Sequence, residues 1–79
     1  MKDIVVICPI QNIYDTALKI IEKHNYHNVD VMLGNMSEGV NVAGQAIAAG
    51  AKVLVSRGGT YRMIRQAYSV PVTEIKVDA

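Results

Sequence analysis

Apolar residues recur along the chain in two rhythms, one suited to buried strands and one to helices laid on a sheet. Ile4 to Ile7 is an unbroken apolar run stopped by Pro9, the pattern of a strand covered on both faces. After it Tyr14, Ala17, Leu18 and Ile21 recur at helical spacing and predict an amphipathic helix. Val29, Val31 and Leu33 alternate with Asp30 and Met32, a second strand that ends at Gly34. Asn35 stands where a helix cap belongs and Glu38 where a capping box would close, and Val40, Ala43 and Ile47 then mark the buried stripe of a second helix. Gly50 suits the left-handed turn that would end it. Val53, Leu54 and Val55 form a third strand, which runs into Ser56-Arg57-Gly58-Gly59-Thr60 before a short helix carrying Met63, Ile64 and Ala67. Val70-Pro71 stops that helix, because a residue before proline is pushed toward extended geometry. Val72 to Val77 reads as a fourth strand.

The resulting order, βαβαβαβ with connections of helical length, predicts an α/β fold: a doubly wound, mostly parallel sheet with right-handed crossovers. A flavodoxin-like strand order 2-1-3-4 would put the first helix on one face and the other two on the opposite face. One face is then a helix short. Residues 1–79 are expected to form a single α/β subdomain, a half domain of flavodoxin-like or periplasmic-binding-protein-like type. The uncovered sheet face is expected to be covered by residues beyond position 79 in a longer protein, by a second copy of the chain through self-association, or by another partner.

Composition sharpens this picture. Val plus Ile outnumber Leu by 20 to 3, which favours buried strands over a helical bundle. A net charge of +1 provides no basic stripe for a phosphate backbone, so direct contact of this segment with nucleic acid is not expected. The lone cysteine, Cys8, suits a reducing compartment, and no apolar run approaches the roughly twenty residues that span a bilayer. These features together predict a cytoplasmic protein without a membrane partner.

The strongest chemical signal is Arg57-Gly58-Gly59-Thr60, at the step from the third strand into the third helix. Open parallel sheets bind ligands at the carboxyl ends of their strands. There the glycines allow close backbone approach, the amides of Gly59 to Arg62 are expected to be free, Thr60 brings a hydroxyl, and Arg57 brings a guanidinium fork for a carboxylate or phosphate. Gln11 and Asn12 after the first strand and Ser37 after the second share that rim and are candidate contacts, although Gln11 or Asn12 can equally cap the first helix. Glu74 is a candidate to orient the ligand or to pair with Arg57, Arg62 or Lys76. His24 and His27 fall far from this rim and do not suggest a metal site. The lysine and spacing of a phosphate loop and the three glycines of a dinucleotide fingerprint are missing, so no cofactor is expected. Cys8 ends the first strand and supplies the rival reading, a phosphocarrier or enzyme using its thiolate, similar to the B components of the sugar phosphotransferase system. A third reading is an assembly module.

The stretch Val53 to Val77 strongly resembles the amino-terminal sensory domain of the propionate catabolism activators, which are sigma-54-dependent transcriptional regulators. The likeness is carried by the hydrophobic strand, by Ser56 to Thr60, by Val70-Pro71-Val72, and by Glu74 and Ile75. Upstream, Ile4 to Ile7, the Gly34 to Glu38 region and Ala43 through Gly50 agree more loosely. The resemblance implies two subdomains around a cleft, of which this chain corresponds to about the first half. It further implies sensing of a small organic acid such as 2-methylcitrate, which relieves inhibition of an attached ATPase domain acting with a DNA-binding domain. On that basis the chain is expected to be a regulatory fragment rather than an enzyme, with Arg57 to Thr60 forming one wall of the cleft.

Overall fold

The computed structural model describes residues 2–75. Four strands, β1 (Ile4–Cys8), β2 (Val29–Leu33), β3 (Val53–Ser56) and β4 (Val72–Glu74), alternate with three helices, α1 (Gln11–His24), α2 (Ser37–Ala48) and α3 (Gly58–Ala67). All strand pairs are parallel and the sheet order is β2-β1-β3-β4, the doubly wound arrangement that the sequence predicts. Lys76 and Val77, assigned above to the fourth strand, lie outside the described residues.

The alternation of a strand sends Val5, Ile7 and Leu54 to one face, where all three are completely buried. Ala43 and Ala46 from α2 and Ile64 from α3 close over them and complete the core. Tyr68 joins α3 to α2, its hydroxyl donating to the Val40 carbonyl at 2.9 Å. Gly44 makes room for that ring, since a Cβ there would sit 2.5 Å from the Tyr68 oxygen.

On the opposite face α1 packs over β1 and β2. Among the described residues no helix covers β3 and β4 on that side, as the strand order requires. An open apolar groove of about 330 Å³ runs there beside α1, lined by Ile13, Ala17, Ile20 and Ile75, and Ile20 is 48% exposed. Thin cover also explains why α1 has no fully buried residue. Leu18, assigned above to the buried stripe, is 41% exposed, and Ile13 is half-buried in its place.

Two helix ends follow backbone-capping rules. After α2, Gly50 at φ 111° lets the Ala51 N–H reach the Ala46 carbonyl at 3.0 Å while its own N–H bonds Ile47, the Schellman pattern. After α1 the same role falls to Asn25 at φ 56°, with the Tyr26 N–H donating to Ile21. Asparagine tolerates this conformation better than most residues, which is why a non-glycine can stand there.

Candidate functional site

A parallel sheet brings the carboxyl ends of all its strands to one edge, and the direction in which successive strands are added reverses at the boundary between β1 and β3. The β1–α1 connection leaves toward one face and the β3–α3 connection toward the other, the arrangement at which open parallel sheets form their ligand crevice. Arg57 stands beside it as the entire connection between β3 and α3. Its backbone is extended, at φ −145° and ψ 157°, and it occupies the N-cap position of α3. The glycine pair is therefore the first turn of the helix, not a loop preceding it. Gly58, at φ 60°, tolerates the left-handed conformation that this abrupt start requires.

The Tyr61 N–H donates to the Arg57 carbonyl at 3.2 Å, the first bond of the helical ladder. The amides left without an intrahelical acceptor are then those of Gly58, Gly59 and Thr60, and the expectation that extended them through Arg62 is corrected. Neither α1 nor α3 has a side-chain cap or an acidic residue in its first turn. Two uncompensated positive helix ends thus flank the crevice, an arrangement suited to an anion.

Thr60 takes a different part from the one expected. It is buried, and its hydroxyl oxygen accepts the Met36 N–H at 2.9 Å and lies 3.4 Å from Asn35 Oδ1. The hydroxyl thus ties α3 to the β2–α2 connection. Asn35 does not cap α2 with its side chain, because Met36 is the N-cap and the Asn35 amide group faces Thr60. Sequence reasoning had no signal for this partnership, since the two residues are 25 positions apart.

Gln11 and Asn12 belong to the first turn of α1, whose N-cap is Ile10, so neither is the cap. The Gln11 amide folds back onto Asp15 at 2.9 Å, and Asn12 borders the apolar groove. Ser37 is exposed at the start of α2 on the same edge. Glu74 is level with Ser56 across the β3–β4 pairing, one residue from Arg57. Among the described residues the ion pair is Lys2–Asp30, at 3.9 Å, so Glu74 pairs with neither Arg57 nor Arg62. Pairing with Lys76 falls outside the described residues.

Cys8 ends β1 on the same edge, where it is buried. Burial pushes its thiol up from the ordinary range, because desolvation penalises the thiolate. That is opposite to the depressed value an activated nucleophile needs. Ser56 beside it is also buried and spends its hydroxyl on the Ile7 carbonyl at 2.8 Å. His24 lies away from the edge, stacked on Tyr26 with ring centroids 5.5 Å apart. Among the described residues no group of three or more His, Cys, Asp or Glu is arranged to hold a metal ion, and no helix is long and apolar enough to cross a membrane.

The edge thus presents backbone amides and a guanidinium group, donors of the kind that suit a small anion. In comparison with known proteins, residues 11–79 match the family described as propionate catabolism activator. No curated protein and no solved structure matches the chain.

Proposed function

The chain belongs to the propionate catabolism activator family, and from that premise we propose that it senses a small organic acid such as 2-methylcitrate at the carboxyl edge of its sheet. The observation that carries this reading is the switch point between β1 and β3, with Arg57 at its border and the amides of Gly58, Gly59 and Thr60, which lack an intrahelical acceptor, in the adjoining helical turn. A carboxylate placed there gains charge-assisted hydrogen bonds and a favourable helix end. Gln11, Asn12, Ser37 and Glu74 border the same edge and supply polar contacts that distinguish one acid from another. No bond need be broken. The acid acts by binding one arrangement of the regulator better than another and so shifting their populations, with transcription by a sigma-54-dependent mechanism as the output.

Calorimetric titration of the protein with 2-methylcitrate and with citrate tests this reading. Binding is expected, and Arg57→Ala should weaken it on the order of 10- to 100-fold, the equivalent of losing one hydrogen bond to a charged group. Absence of binding by either acid would overturn the sensor reading, whereas equal affinity of wild type and variant would remove only Arg57 from it. The phosphocarrier alternative loses support from the raised thiol of Cys8.

The apolar groove beside α1 favours a second, compatible reading, in which a second copy of the chain covers it. A net charge of +1 creates little repulsion between copies, and a two-fold axis would set Ile20 and Ile75 of one copy against the same residues of the other. Sedimentation at micromolar concentration should give a dimer that Ile20→Glu dissociates; a wild-type monomer would refute it.

A further inference from the structure

The backbone of Met36 has φ 51° and ψ −119°. The Glu38 N–H bonds the Asn35 carbonyl at 3.1 Å, so residues 35–38 form a β-turn with Met36 at its first central position. Those angles belong to a type II′ turn, whose first central position is ordinarily a glycine. A side chain there is strained, and such strain persists only where the surroundings hold it. Two contacts do so. The Met36 N–H donates to the buried Thr60 hydroxyl at 2.9 Å. The thioether lies on the first turn of α3, with its sulfur 3.1 Å from where a Cβ on Gly59 would stand.

We propose that this turn is a two-state latch: seated, Met36 bonds Thr60 and covers Gly59; released, it relaxes to negative φ, gives up both contacts and uncovers the start of α3. Strain in a non-glycine II′ turn is of the size of one hydrogen bond and so offsets most of what the Thr60 bond contributes, which leaves the thioether contact to decide the balance. Gly34 and Gly39 close the base of the turn, since a Cβ on Gly34 would lie 2.9 Å from the Gly39 Cα, so the change is confined to the residues between them. The latch also sets where Asn35 and Ser37 stand relative to α3. It does not depend on the identity of any ligand.

The test compares Met36→Gly with Met36→Ala in thermal melts, and follows exchange of the Met36 amide in wild type, Thr60→Ser and Thr60→Val. Both Met36 variants delete the thioether, but only glycine is relieved of strain in the seated backbone. Met36→Gly is therefore expected to melt above Met36→Ala, the reverse of the order at an ordinary loop position. Exchange should accelerate about tenfold when Thr60→Val removes the acceptor, and should stay near wild type in Thr60→Ser. An alanine variant that melts above the glycine variant overturns the proposal, as does amide exchange indifferent to Thr60→Val. Should Thr60→Val fail to fold, the melting order decides. None of these readouts uses an effector, so their failure is separate from failure of the sensor reading.

Discussion

Truncating Leu54 to alanine is expected to cost about 2–5 kcal/mol, the range for deleting a large aliphatic side chain from a packed core. Leu54 lies in the central strand β3, is completely buried, and packs within the cluster of Val5, Ile7, Ala43, Ala46 and Ile64. A chain of this length has roughly 4–12 kcal/mol of stability in total, so the variant should be poorly folded at physiological temperature. Leu18→Ala is the internal control. It deletes the same atoms from the exposed side of α1 and should stay within about 0.5 kcal/mol of wild type. Urea titrations followed by circular dichroism measure both. Similar midpoints for the two variants would mean that the α2–α3 face does not carry the stability ascribed to it.

Gly39→Ala is expected to destabilise the fold even though glycine to alanine within a helix ordinarily gains up to about 1 kcal/mol. The new Cβ would stand 2.5 Å from Thr60 Cγ2 and 3.0 Å from the Gly34 carbonyl oxygen. Thr60 is buried and its hydroxyl is committed to Met36, so the methyl group cannot swing aside without breaking that bond. Overpacking of this kind costs on the order of 1–3 kcal/mol, which exceeds the gain in helix propensity. Thr60→Ser removes the offending methyl and keeps the hydroxyl. The double variant should therefore be more stable than the sum of the two single effects allows, and strict additivity in denaturant titration would refute the contact.

Much of the architecture was legible because the strongest signals were repeated and local. Continuous apolar runs marked β1 and β3, and helical spacing between successive strands required parallel crossovers of one hand. The strand order came from likeness to doubly wound folds, and the bare face followed from that order. Element ends were less legible where one residue type serves two purposes. Gly58-Gly59 reads as a turn, yet it opens α3 directly, because glycine satisfies the left-handed start at Gly58 and permits Met36 to pack on Gly59. Asn35 reads as a cap, but Thr60 in the adjacent first turn of α3 competes for its side chain. Leu18 fits the helical period, yet with a single helix on its face the sheet could not bury every apolar position on α1. The rim bearing Arg57 was legible from topology alone. The Thr60 tie and the strained Met36 were not, since methionine has no preference that announces a glycine-type turn and the partners are distant in sequence.

The one-residue junction at Arg57 leaves no slack between sheet and helix. Any twist of the β3 terminus is passed to α3 as a tilt, and a ten-residue helix is a lever about 15 Å long. A tilt of about 4° at its root displaces the far end by about 1 Å over that length. There Tyr68 hooks the Val40 carbonyl, so the motion arrives at α2 on the shielded side of the molecule. An event at the rim is in this way felt by α2 at a second point, apart from its own start beside the rim.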